Sequence, residues 1–145
     1  MRTKSATLTD AQIGYVAGLL DGEGSVGLYK RCRKSDHSDF LGPQVRICGT
    51  HKLAMETIQK WVGGGLYAPS RLLASDKQLY TLYWTKQSEI TELLELLEPY
   101  LIIKKLQAQL LLSWIALRGT PVQMDNEIVS MLKALNRRGR SENQD

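Results

Sequence analysis

Apolar and polar residues change their spacing several times along the 145-residue chain, and each change marks an element. Leu8, Thr9, Gln12 and Ile13 open a helix: Thr9 is placed to cap it, Gln12 completes a capping box three residues on, and Leu8 staples against Ile13. The helix is expected to reach about Asp21, roughly 18 Å at ~1.5 Å per residue. It carries so few polar groups that nearly every side needs cover, and Gly14, Ala17 and Gly18 leave one flank almost flat. A glycine inside a helix costs about 1 kcal/mol relative to alanine. The flat flank therefore predicts close approach of another helix, whether from the same chain or from a second one.

After Gly24 the period becomes two. Ser25, Gly27, Tyr29, Arg31 and Arg33 alternate with Val26, Leu28, Lys30 and Cys32, which predicts a strand. A polar loop over 34–39 leads to a second alternating run, 40–48, with Gln44 and Arg46 on one face and Val45 and Ile47 on the other. A helical pattern over 50–62 stops at Gly63, Gly64 and Gly65. Residues 67–73, opening with Tyr67, and 79–85 predict another hairpin that turns Arg71 and Tyr83 away from Leu82 and Trp84. Ser88 is expected to cap a helix ending near Glu98 and Pro99, and helices over 103–117 and 125–136 complete the pattern. Residues 1–136 thus read as one α+β domain with an αββαββα core and a C-terminal helix. Its four-stranded antiparallel sheet is backed by helices, and 137–145 read as a polar, flexible tail.

Composition narrows the function classes. With 43% hydrophobic and 23% charged residues the chain is an ordinary globular one, and no apolar run reaches the ~18 residues that span a bilayer. The first residues lack the apolar core of a secretory signal, and Cys32 and Cys48 form no CxxC pair. A reducing, intracellular setting without a zinc site is expected. The net charge of +4 is uneven: residues 1–86 hold 12 Lys+Arg against 7 Asp+Glu, whereas 87–145 hold 7 against 8. A positive field over the two hairpins suggests a polyanionic partner. The polar sheet face carries side chains that reach base edges in a major groove, where Arg and Gln make bidentate contacts. Ser25, Gly27, Tyr29, Arg31, Arg33, Gln44, Arg46, Tyr67, Arg71 and Tyr83 form this expected DNA-contacting set.

One stretch does not fit a helix in isolation. The first helix ends on two carboxylates, Asp21 and Glu23, although a helix C-terminus disfavours negative charge. These acids lie in Val16-Ala17-Gly18-Leu19-Leu20-Asp21-Gly22-Glu23-Gly24, which resembles the LAGLIDADG motif of homing endonucleases, with five of nine letters identical. The resemblance extends over nearly the whole chain. The element order follows, and Pro99-Tyr100-Leu101-Ile102-Ile103-Lys104-Lys105-Leu106-Gln107-Ala108 looks like the family's downstream segment with its basic residue.

What the resemblance implies is specific. One motif in a chain of this length implies a homodimer whose motif helices meet through Gly14, Ala17 and Gly18 beneath a saddle-shaped sheet. Glu23 of each subunit, with the Gly22 carbonyl, would bind Mg²⁺ or another divalent metal such as Mn²⁺ at the scissile phosphates. Asp21 would close the helix end. Lys104 matches the family's basic residue near the active centre, with Lys52 as a second candidate. The implied activity is hydrolysis of double-stranded DNA at a long, near-palindromic site, as in intron homing, in a prokaryotic cytoplasm or an organelle. The alternative is a cleavage-inactive DNA-binding protein or an RNA-binding intron maturase of the same fold. No membrane or small-molecule substrate is implied. The chain departs from the family at the strand-to-helix corner, where Ile47, Cys48 and Gly49 offer no counterpart to a water-ordering Gln. Glu89, Glu92, Glu95 and Glu98 read as a solvated helix face. His37 and His51 read as loop or phosphate-contact positions, and Trp61, Trp84 and Trp114 as core.

Overall fold

The computed structural model describes residues 8–68, 78–118 and 124–142. Helix α1 (Asp10–Glu23) begins as its sequence dictates: the Gln12 N–H donates to Thr9 Oγ1 at 3.1 Å and the Thr9 N–H donates to Gln12 Oε1 at 2.9 Å. A cap of this kind is worth about 1 kcal/mol. The helix runs past Asp21, so both acids belong to its last turn. It passes without a loop into β1 (Gly24–Cys32). That junction needs glycine for space, because a Cβ at Gly24 would lie 2.7 Å from the Arg46 carbonyl oxygen and 2.8 Å from that of Leu20.

Strand β2 (Asp39–Gly49) pairs antiparallel with β1, and α2 (Lys52–Val62) follows. The helix starts after His51, whose Nδ1 accepts the Ala54 N–H at 3.2 Å, rather than at Thr50. It ends where Gly63 and Gly64 take φ values of 77° and 93°, which only glycine adopts freely. Gly64 also lies under the Trp84 indole, since a Cβ there would sit 2.6 Å from the ring. Strand β3 (Gly65–Tyr67) pairs with β4 (Tyr80–Trp84), giving the antiparallel order β1-β2-β4-β3. Strand β3 thus begins at Gly65, inside the glycine run, and ends at Tyr67, where the sequence predicts a strand to begin; residues 69–77, Arg71 among them, lie outside the described residues.

Helix α3 (Gln87–Leu97) is capped by Lys86, whose carbonyl accepts the Ile90 N–H at 2.9 Å; Ser88, expected as the cap, falls inside the first turn. A 3-10 turn (Glu98–Tyr100), α4 (Lys105–Ala116) and α5 (Met124–Glu142) complete the chain. Helix α5 takes in residues 137–142, which read from sequence as part of a flexible tail; 143–145 lie outside the described residues.

The sheet has a buried and an open face, as its alternation predicts. Val26, Val45, Ile47, Leu82 and Trp84 pack on Val16 and Leu20 of α1, Leu93 and Leu97 of α3, and Leu111 and Trp114 of α4. None of these is more than 2% exposed, so truncating one such leucine to alanine costs about 2–5 kcal/mol. The structure is thus an α+β fold of αββαββα order with further helices. Among the described residues no helix is long and apolar enough to cross a membrane.

Candidate active site

Helical residues two apart point to nearly opposite sides, and the two acids of α1 meet opposite fates. Asp21 is buried, 8% exposed. Its Oδ2 accepts the backbone N–H groups of Ile102 at 2.8 Å and Ile103 at 3.2 Å, and its Oδ1 accepts that of Lys104 at 3.0 Å. These three residues immediately precede α4, so the carboxylate lies where the start of that helix favours negative charge. Asp21 does close a helix end, but that of α4 rather than its own. Lys104 returns the exchange: its Nζ donates to the Asp21 carbonyl at 2.6 Å. That cation serves the C-terminus of α1, which has no basic residue in its last turn.

The same segment is tied to the other end of α1. Tyr100 donates its hydroxyl to Asp10 Oδ1 at 3.0 Å, a bond that raises the phenol above its ordinary range. Leu101, 1% exposed, anchors the strap between the two ties. Residues 100–104 thus lie along α1 from its first turn to its last.

Glu23 and Gly22 are exposed at the foot of the helix. Lys104 is half-buried beside them. Burial draws its ammonium below the ordinary 10.5, and the charges of Asp21 and Glu23 partly oppose that shift, which puts Glu23 within electrostatic reach. Lys52, the second basic candidate, is exposed on α2 and pairs with Glu56 at 3.8 Å. Of the two lysines, the fold brings Lys104 to the acids.

The residues present fit a hard divalent cation of open coordination. One chain offers the Glu23 carboxylate and the Gly22 carbonyl, with nothing within 4 Å of a Cβ built at Gly22. Among the described residues no three His, Cys, Asp or Glu side chains gather into a closed cage. Mg²⁺ is usually held this way, by one or two carboxylates together with water and phosphate.

The small residues of α1 do not share one environment. Ala17 is 0% exposed within this chain's own core, so its expected place at a subunit contact is corrected: helix rotation turns it inward. Gly14 lies beneath Tyr100, with a built Cβ 3.9 Å from the ring. Gly18 is open, with nothing within 4 Å of its built Cβ, and shares its face with Gly22 and the half-exposed Tyr15. Near the foot, Ile102 is 85% and Ile103 67% exposed. Their N–H groups point to Asp21, and their side chains are left outside.

Strand register arranges the open sheet face in rows. Cys48, Thr81 and Tyr67 form one, with the Cys48 thiol 3.5 Å from the Thr81 hydroxyl. Ser25, Arg46, Tyr83 and Gly65 form the next, followed by Gly27 with Gln44, Tyr29 with Gly42, and Arg31 with Phe40. The Arg46 guanidinium lies 5.5 Å from the centre of the Tyr29 ring, and that of Arg33 lies 5.0 Å from Phe40. Beyond the last row, Arg31, Arg33, Phe40, Trp114 and Arg118 line a cleft of about 550 Å³. Gly27 is buried, and a Cβ there would lie 2.9 Å from Asn136 Nδ2. Thr81, Asn136, Ile102 and Ile103 were not singled out by sequence; strand alternation alone was enough to place Thr81 on the open face.

The remaining candidates lie outside α1. His51 caps α2, and His37 is exposed in the loop between β1 and β2. Glu89, Glu92 and Glu95 lie on the outer side of α3. Trp84 and Trp114 are buried, and Trp61 meets Tyr15 edge-on at 6.1 Å.

No protein-family profile and no curated protein matches the chain. Solved structures do. The homing endonuclease I-CvuI, in complex with its target in the presence of 2 mM Ca, superposes with a TM-score of 0.68 at 20% identity, over 86% of this chain and 82% of its own. The archaeal intron-encoded homing endonuclease I-Vdi141I, complexed with DNA, gives 0.69 at 18% identity, over 87% and 84%. The LAGLIDADG homing endonuclease I-GzeII, in complex with its DNA target, gives 0.59 at 15% identity, over 85% of this chain but only 43% of its own. The chain carries the fold of the LAGLIDADG homing endonucleases.

Proposed function

We propose that the protein is a site-specific, divalent-metal-dependent double-strand DNA endonuclease that acts as a homodimer and reads a long, near-palindromic site through its sheet. The observation that carries this reading is the divergence of two acids at one helix foot. Asp21 is consumed by three backbone N–H groups, while Glu23 stays exposed beside the Lys104 ammonium. A carboxylate with no hydrogen bond among the described residues, next to a half-buried cation, suits a site that a phosphate and its metal complete.

The surface around the foot favours a second copy of the chain. Tyr15, Gly18 and Gly22 form an open flank with isoleucines 85% and 67% exposed nearby, an apolar grouping that soluble chains seldom leave uncovered. Two such flanks packed about a two-fold axis would be self-complementary and bring the two Glu23 side chains together. Glu23 and the Gly22 carbonyl would hold Mg²⁺, or Mn²⁺ in its place. When bound, the ion supplies charge stabilisation at the scissile phosphate and a more acidic water. Lys104 contributes positive charge beside that phosphate, and its burial makes its proton easier to give up. Ser25, Tyr29, Arg31, Arg33, Gln44, Arg46, Tyr67 and Tyr83 would face the groove, with Arg and Gln the side chains suited to purine edges.

Incubating the protein and Mg²⁺ with plasmids that carry candidate intron-insertion sites tests the reading. The wild type should cut both strands at one site, and Glu23→Gln should bind that site without cutting. Site-specific binding with no cleavage by the wild type under any divalent metal would instead assign the chain to DNA binding alone.

A further inference from the structure

The row of the open sheet face formed by Gly27 and Gln44 lacks a side chain from β1, and a distant residue fills the gap. Strand β1 is an edge of the sheet, and α5 packs against it. Helix α5 is anchored by Ile128 and Leu132, 6% and 1% exposed. Asn136 continues the same stripe one turn on, since residues four apart share a helix face. There the stripe has run off the core and onto the sheet edge. The Asn136 amide donates to the Val26 carbonyl at 3.4 Å. Its Nδ2 lies 2.9 Å from the point a Cβ of Gly27 would occupy, and the Tyr29 ring lies 3.7 Å from that point. Gly27 shares its face with Gln44, Tyr29 and Ser25, so the Asn136 carboxamide has been delivered onto the open face itself. Asn136 is exposed there, and so are its neighbours Lys133 and Arg137 on α5.

We infer that Asn136 is a specificity-determining residue, reading one base pair of each half-site from the position that Gly27 leaves vacant. The inference rests on the DNA-binding function proposed above. One amide hydrogen of Asn136 goes to Val26; the second hydrogen and Oδ1 form a donor and acceptor side by side. That pair matches the N7 and N6 groups of adenine in the major groove. Gly27 is the complement of this arrangement, because any side chain at 27 would displace the carboxamide. Gln44, directly across the ladder and some 5 Å away, would read the same or the neighbouring pair.

Selection of bound sequences from a randomised DNA pool decides the matter, run with the wild type, Asn136→Ala, Asn136→Asp, Gly27→Ala and Gln44→Ala. Asn136→Ala should flatten the preference at one base pair per half-site, by about 5- to 100-fold, and leave the others intact. That pair should coincide with or adjoin the one altered by Gln44→Ala. Asn136→Asp should move the preference there from adenine towards cytosine, whose amino group a carboxylate accepts. Gly27→Ala, which keeps Asn136 but pushes it aside, should reproduce the flattening even if Asn136→Ala folds poorly. Preferences unchanged at every position while Gln44→Ala alters one would overturn the inference, as would a uniform loss of affinity. If the wild type selects no sequence, the DNA-binding function fails and this inference with it; a wild type that selects one with Asn136 silent removes the inference alone.

Discussion

The foot of α1 and the open face of the sheet are built on opposite plans. At the foot, four hydrogen bonds between Asp21 and residues 102–104 link parts of the chain 81–83 residues apart. Each gives a partner to a backbone group at or next to a helix end. On the open face, regular ladders fix the strands, and several side chains stand over them half-exposed, steered by contacts such as Arg46 over Tyr29. One region is over-determined and the other permissive. If the proposed function holds, the difference implies that chemistry and recognition change independently: substitutions at the foot should alter folding or cleavage, and substitutions on the face should alter which sequence is bound.

The strongest test of this division separates the two acids. Glu23→Gln should reduce cleavage by at least about a thousandfold, roughly 4 kcal/mol in barrier, while shifting stability by no more than about 0.5 kcal/mol. Cleavage kinetics and urea unfolding of the same preparation report both quantities. Asp21→Asn should behave inversely in stability. The amide keeps the shape but presents no full charge to three N–H donors, so unfolding free energy should fall by about 2–4 kcal/mol; the exposed setting of Ile102 and Ile103 lets water recover part of the loss. A urea midpoint equal to that of the wild type would erase the contrast between the acids.

On the sheet, Arg46→Ala should cost about 1–3 kcal/mol against one base pair of each half-site, with an unfolding midpoint near that of the wild type. Equal weakening on all sequences, with a salt slope reduced by about one, would move Arg46 from base reading to phosphate contact. The smallest effect is electrostatic. In metal-free protein, Glu23→Gln should lower the Lys104 ammonium further, because the Glu23 charge is one of the two that hold it up. NMR titration of the Lys104 side chain would register the shift. The sign for stability follows: burial penalises the charged amine in the folded state, so its cost is full at neutral pH. That cost fades as pH rises from the depressed value towards 10.5.

Much of the architecture was legible because its signals are local. The Thr9–Gln12 capping box spans three residues, and the two-residue alternation of 25–33 and 40–48 separates sheet faces without reference to anything else. Asp21 and Glu23 both stood out by their conflict with the helix dipole; only the resemblance to the LAGLIDADG motif set Glu23 apart from Asp21. Boundaries were less legible than the elements themselves, as at Lys86 in place of Ser88 and at the extension of α5 to Glu142.

By itself, then, the sequence determined the order and type of the elements and which strand positions share a face, since backbone periodicity and caps act over a few residues. Only the tertiary structure decided that Ala17 faces inward while Gly18 lies open, because a helix of apolar residues does not specify its own rotation. It decided too that Asp21 serves the start of α4, that Lys104 rather than Lys52 reaches the acids, and that Asn136 stands where Gly27 has no side chain. Each of these joins residues about 80 or more apart, and packing the elements around one core is what brings such residues into contact.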